Sequence, residues 1–385
     1  MTQLLIVDPY VNSGSPTMRG IVASLDVLVE LFDRIEVWAT ECDWSHPKVS
    51  LRRVPRPLKP WALHAHYYAH TVNRWARELP ADPKRLVQVS GCLLPCADIR
   101  YIQFWNQLWI EESRKRPQIS LTMLSGLQSR IAARAEAEVL RNAGSTGEWW
   151  VVSRALADRI QALGGGGGTF SILPNQYDPE RFNRSVRDEW RESMRGHYGF
   201  QPHERVLVFS AFGHFERKGL RQAVEAVELL RQRGHPLRFL ILGGSPETLR
   251  RFRKTLSPAQ QEGCIFAGLV DHIERHLAAA DGLLFPSHFE AFSLAEIEAA
   301  ALGLRLYLTP HYGSEMILRE PSNGRLLPWD PAGMAAVIAR DLADGTLGQA
   351  HHELGEAITR QHYGERLRSL YQDAIRRKHA GQFPI

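Results

Sequence analysis

Short runs rich in valine, isoleucine and leucine alternate with helix-length amphipathic segments along this chain, and the alternation starts twice. A strand that is followed by a helix returns to the sheet in its original direction, so this alternation predicts parallel sheets wrapped by helices. In the first half the expected strands are "LLIVD" (4–8), "IEVWA" (35–39), "LVQVS" (86–90), "RYIQFW" (100–105) and "WWVVS" (149–153). In the second half they are "VLVFS" (206–210), "RFLILG" (238–243), "CIFAG" (264–268), "GLLFP" (282–286) and "RLYLT" (305–309). Between the halves lie "GGGGG" (164–168) and "FSILPNQYDPERF" (170–182), whose glycines and prolines punctuate rather than pack. The fold class expected is α/β, with one Rossmann-like domain over 1–174, a second over 175–363, and a C-terminal helix, 364–385, that packs back on the first.

A chain of 385 residues is too long for one ordinary core, which agrees with two domains. Hydrophobic residues at 44% and charged residues at 23% are the composition of a globular protein. No apolar run reaches the roughly 20 residues of a membrane span, and the N-terminus lacks the signal-peptide pattern. Cys42, Cys92, Cys96 and Cys264 are irregularly spaced and suggest neither a disulfide framework nor a zinc site, so a reducing cytoplasm is the expected location. Residues 51–85 carry eight Lys or Arg against two acids, together with Trp61, Tyr67, Tyr68 and Trp75. Basic residues beside aromatics suit an anionic membrane surface, so peripheral attachment at the inner face of the membrane is the second expectation; a solvated helix with packed aromatics is the simpler reading. His66 and His70 share a helix face near His64, but no carboxylate or cysteine completes a metal set, and no metal is expected. No nucleic-acid module is readable.

The stretch "FPSHFEAFSLAEIEAAALG" (285–303) puts Glu290, Glu296 and Glu298 in a segment that otherwise reads as core. Ser293 to Glu296 has the Ser-x-x-Glu form of a capping box, which gives Glu296 a structural role. An ionised carboxylate is costly to bury without partners, so Glu298 calls for polar donors, and ligand hydroxyls would serve. A loop at the carboxyl end of a parallel strand is where open α/β sheets bind ligands. The helix start that follows, around Ala291, Phe292, Ser293 and Leu294, favours a phosphate.

Glu290, seven residues and then Glu298, continuing as "AAALGLRLYLTPHYGSEMI" (299–317) and "NGRLLPWD" (323–330), resembles the signature of retaining glycosyltransferases of family 4. Three further segments resemble that family: "WWVVSRALADRI" (149–160), "ILPNQYDPERF" (172–182) and "VLVFSAFGHFERKGL" (206–220). The resemblance is strong over 149–345 and only general before it. It implies the GT-B fold, two facing Rossmann-like domains with an interdomain cleft, the first on the acceptor side and the second on the nucleotide-sugar donor side. By the same resemblance Glu290 contacts the donor sugar's hydroxyls, Glu298 holds the nucleotide ribose, and Arg217 and Lys218 meet the donor diphosphate. This chain has Ala291-Phe292-Ser293 where members often have Gly-Phe-Gly. "GHFERKG" (213–219) is one residue shorter than the commoner form and sets His214 where an Arg often lies, leaving open which of His214 and Arg217 contacts phosphate. In the first domain "DPYVNSGSPTMRG" (8–20), with Gly14 at its middle, matches the loop that lies against the donor, and "RYIQFWNQLW" (100–109) offers Gln103 and Asn106 for acceptor or sugar contact.

The implied activity is transfer of a sugar, with retention, from a nucleotide-diphosphate sugar to a glycan or lipid-linked hydroxyl in cell-surface polysaccharide or glycolipid synthesis, without a metal cofactor. The competing readings are a nucleotide-sugar epimerase or hydrolase of the same fold, and a non-catalytic nucleotide-sugar-binding module. A dinucleotide dehydrogenase is disfavoured because neither half opens with Gly-x-Gly-x-x-Gly.

Overall fold

The computed structural model describes residues 2–15, 17–56, 61–115, 123–142, 147–164, 168–349, 351, 354 and 358–383. The chain divides into two compact units: Met1–Asn175 with Arg360–Ile385, and Gln176–Thr359.

The first unit holds β1 (Gln3–Val7), β2 (Tyr10–Val11), β3 (Arg34–Ala39), β4 (Glu41–Cys42), β5 (Val49–Arg53), β6 (Arg85–Ser90), β7 (Ile99–Ile102), β8 (Glu148–Val151) and β9 (Thr169–Ile172). Seven of these form one sheet in the order β5-β3-β1-β6-β7-β8-β9, and β2 pairs with β4 separately. Every pairing is parallel. The sheet's central strands are mostly apolar and buried, with Gln88 on β6 and Arg100 on β7 as buried polar exceptions. Helix Arg360–His379 belongs to this unit and buries Tyr363, Leu367, Leu370, Tyr371 and Ala374, the spacing of one helical stripe. Tyr371 packs edge-on against Phe32 and Trp150, and its hydroxyl donates to Gln88 on β6.

The second unit holds β10 (Arg205–Ser210), β11 (Leu237–Leu242), β12 (Cys264–Gly268), β13 (Gly282–Phe285), β14 (Arg305–Leu308) and β15 (Gly324–Leu326), in the order β12-β11-β10-β13-β14-β15, again all parallel. A buried carboxylate anchors the middle of this sheet. Asp281 accepts from the backbone of Val206 at 2.7 Å and from Arg191 at 2.5 Å. In both units the order of the sheet strands reverses once, at β1/β6 and at β10/β13. Crossovers leave such a point in opposite directions, so the loops after those strands stand beside each other at the sheet's carboxyl edge.

Part of the basic stretch packs into the first unit, while Arg53 and Arg56 are exposed. Arg52 lies on β5 with its guanidinium 3.9 Å above the ring of Trp75. Trp75 meets Trp38 edge-on at 5.4 Å, and Tyr68 is buried with its hydroxyl donating to the Trp38 carbonyl at 2.5 Å. Tyr67 and Trp75 pack against the core, while the Trp61 side chain and Lys59 lie outside the described residues. Among the described residues no helix is long and apolar enough to cross a membrane.

Candidate functional site

In the second unit the loop after β10 reaches the loop after β13. Gly219, which starts helix Leu220–Gln232, is what lets them touch: its φ is +71°, and a Cβ there would stand 2.1 Å from the Pro286 carbonyl oxygen. The His288 amide donates to the Arg217 carbonyl at 2.8 Å, tying the loops together. Glu290 then meets both cations. Its Oε1 accepts from Lys218 Nζ at 2.7 Å, from Ser287 Oγ at 3.0 Å and from Arg217 at 3.1 Å, and Arg217 also donates to the Phe289 carbonyl at 2.5 Å. Burial by itself would raise the Glu290 carboxyl. The ammonium of Lys218 and the guanidinium of Arg217 outweigh it and hold the group at about 2. Burial pulls Lys218 below its ordinary value, Glu290 opposing. Two cations and one anion leave one positive charge, on a buried edge where an oxyanion would be attracted strongly.

His214 sits in this loop in the left-handed region, φ +58°, unusual for a residue with a Cβ. Its side chain is exposed, and its carbonyl accepts from the Lys218 amide at 3.0 Å, so its backbone shapes the turn that presents the two cations.

Helix Leu294–Ala301 begins at Ser293, but the capping box does not form: the Ser293 side chain makes no cap hydrogen bond. Glu296 has another partner instead. It is fully buried and its Oε1 meets His311 Nε2 at 2.8 Å. Burial lowers the His311 pKa, but the Glu296 charge outweighs it and the net shift is upward. Ala291, Phe292 and Ser293 are buried between Glu290 and the helix, and Glu298 is buried in its second turn. The site residues Arg217, Lys218 and Glu290 are therefore in direct contact, and Ala291 to Leu294 and Glu298 follow on the same loop and helix. The Glu296–His311 pairing was not readable, because the two residues lie on different elements.

A hollow of about 650 Å³ lies at the ends of β11 and β12, lined by Gly244, Gly268, Leu269 and the cations Arg250, Arg253 and Lys254.

In the first unit Gly14 is exposed, with nothing closer to a Cβ than Asn12 Oδ1 at 3.6 Å. The tight glycine of this loop is Gly20, whose Cβ would fall 2.6 Å from the Tyr363 ring. Gln103 and Asn106 line a cavity of about 640 Å³. Gln103 Nε2 bonds to the Thr17 carbonyl at 3.2 Å, to Tyr101 at 2.5 Å and to Asn175 at 2.9 Å. Asn106 opens helix Asn106–Arg114 and gives its backbone and side-chain nitrogens to Glu136 at 2.6 and 2.8 Å, while Gln107 gives its amide at 2.8 Å. Glu136 thus caps a helix that Trp105 leaves uncapped, and the Asn106 side-chain nitrogen is committed to it. Burial pushes Glu136 up to about 7 despite those bonds. His64 bonds Thr40 at 3.0 Å, and no metal-ligating cluster occurs among the described residues.

Comparison with known proteins fits this geometry. Against solved structures the chain matches WaaG, described as a glycosyltransferase involved in lipopolysaccharide biosynthesis, with a TM-score of 0.71 at 20% identity over 97% of this chain and 98% of that one. HepE of Anabaena, solved with UDP and glucose, matches with a TM-score of 0.62 at 13% identity over 97% of this chain and 100% of that one. The fold is that of the GT-B glycosyltransferases. Residues 203–344 match the family described as glycosyl transferases group 1, in line with the sequence resemblance. Among curated relatives, the amylovoran biosynthesis glycosyltransferase AmsK of Erwinia amylovora is 26% identical over 49% of this chain and 46% of its own length. The lipopolysaccharide glucosyltransferase WaaG of Escherichia coli is 24% identical over 82% of each. The chain spans about half the length of most of the curated relatives it matches.

Proposed function

We propose that this protein is a retaining glycosyltransferase that moves a sugar from a nucleotide-diphosphate donor to an acceptor hydroxyl in the synthesis of a cell-surface polysaccharide or glycolipid. The observation that carries the reading is the contact of Arg217 and Lys218 with Glu290 at the β10/β13 edge. The negative charge that grows on the leaving diphosphate meets Arg217 and Lys218, assisted by the backbone N–H groups from Ala291 to Leu294 at the helix start. A diphosphate competes with Glu290 for the two cations, which turns that carboxylate toward the donor sugar's hydroxyls. Glu298 takes the ribose. His214 acts through its backbone, so Arg217 is the phosphate ligand of the two. Ser293 fits this scheme because its side chain spends no helix-start N–H group on capping. HepE's complex with UDP-glucose supports a nucleotide-sugar donor. In the first unit, the acceptor side, Gln103 and Asn106 line the acceptor cavity, and the Gly14 loop approaches the donor. The location we propose is cytoplasmic, with basic residues 52–56 as a contact for anionic membrane; charge reversal of Arg53 and Arg56 should then lower liposome binding, and unchanged binding would remove that part.

The test is to incubate the protein with UDP-, GDP-, ADP- and CMP-linked sugars and an alkyl glycoside, and to read product and anomeric configuration by NMR. A product with the donor's anomeric configuration is expected. Free sugar alone would indicate a donor hydrolase, an epimeric nucleotide sugar an epimerase, and no turnover with nucleotide binding a binding module.

A further inference from the structure

The first unit's cavity has a graded lining. Its floor is polar and lies at the sheet's carboxyl edge, with Ser90 ending β6, Gln103 following β7, and Asn106 and Glu136 beside them. Its walls are helices Trp61–Arg77 and Met123–Asn142, which contribute Leu63, Leu127 and Ile131. Those three side chains are 50%, 55% and 45% exposed, and they are three of eight large apolar side chains left exposed among the described residues. Three gathered at the rim of one hollow form a patch that water solvates poorly, the mark of a site with an apolar occupant. The volume, about 640 Å³, is that of a small-molecule pocket.

We infer that this cavity holds the acceptor by an apolar body, so that the acceptor is an amphipathic molecule with a hydroxyl-bearing head and an acyl, prenyl or aryl portion. The inference rests on the acceptor role proposed above and adds the acceptor's class. A free sugar or a bare glycan segment would set hydroxyls against Leu127 and Ile131, where they find no partner. A wholly apolar ligand would set no donor against the amide oxygens of Gln103 and Asn106 in the floor. An amphipathic acceptor satisfies both ends, and it fixes orientation, with the reacting hydroxyl at the carboxyl edge and the apolar portion between the two helices.

Isothermal titration of the full chain with hexyl β-glucoside and methyl β-glucoside, without donor, tests this. The hexyl compound should bind at least about tenfold more tightly, since five further methylenes leave water. In the Leu127→Gln/Ile131→Gln double variant the preference should collapse toward equality. Both positions are exposed, so the fold should persist, and a thermal melt with UDP on the same preparations reports the donor site separately. Equal affinity for the two glycosides, no heat with either, or an unchanged preference in the double variant overturns the inference. A retained hexyl preference with no UDP response in the wild type would instead sink the transferase reading while upholding the pocket's chemistry.

Discussion

The carboxyl edges of the two sheets are built on the same strand reversal and carry opposite chemistry. At β10/β13, Glu290 is held by Lys218 and Arg217 and its pKa falls to about 2. Beside β6 and β7, Glu136 is held by three N–H donors with no cation bonded to it among the described residues, and burial takes it up to about 7. Topology decides where loops gather. Whether the gathering place attracts a diphosphate or an apolar body is decided by the side chains put there, and full charges offset the desolvation of a carboxylate where dipoles do not.

That contrast can be broken most forcefully at Glu290. Glu290→Gln leaves two largely buried cations, 18% and 14% exposed, without their anion and should cost about 3 kcal/mol in denaturant unfolding. The pH dependence follows from its sign. A carboxyl with a folded pKa of about 2 adds stability above its unfolded value near 4.3, and that stability is lost as pH falls toward 2. The variant should lack this acid-side loss. Next in size is Gly219→Ala, which drives a Cβ into the Pro286 carbonyl at positive φ and should cost about 2 to 3 kcal/mol. Gly14→Ala, in open space in the first unit, should stay within about 0.5 kcal/mol. Glu136→Gln should cost about 1 to 3 kcal/mol at low pH through its lost acceptors. Because its folded pKa is raised, the wild type should lose up to about 3 kcal/mol as pH rises from about 4.5 to 7, and the variant should show that slope flattened. The smallest effect expected is Ser293→Ala, below about 0.5 kcal/mol, because no cap hydrogen bond is lost.

The central strands were legible because each is rich in buried apolar residues, even where Glu36, Gln88 or Arg100 interrupts it. The strands missed are β2 and β4, two residues each and paired only with one another, and β5, β9 and β15, which are all edges of the two large sheets. "VSLRR" and "TFSI" bury too little to show an apolar run, and "GRL" is three residues long. "RYIQFW" stops at Ile102 because Trp105 already turns into a helix. In the candidate site, Glu290, Arg217 and Lys218 were singled out through the family resemblance, and the topology brings their loops together. Glu136 was not, since its partners are some 30 residues away, and Glu296 misled because a His 15 residues on outcompetes its local cap.

The central claim is that the Arg217–Lys218–Glu290 edge binds a nucleoside diphosphate. It is tested most directly by thermal unfolding with UDP, GDP, ADP and CMP on the wild type, Arg217→Ala, Lys218→Met and Glu136→Gln. One nucleotide, at about 100 times its dissociation constant, should stabilise the wild type and Glu136→Gln by about 2.7 kcal/mol and leave both cation variants unmoved. Full nucleotide stabilisation in Arg217→Ala and Lys218→Met would contradict it.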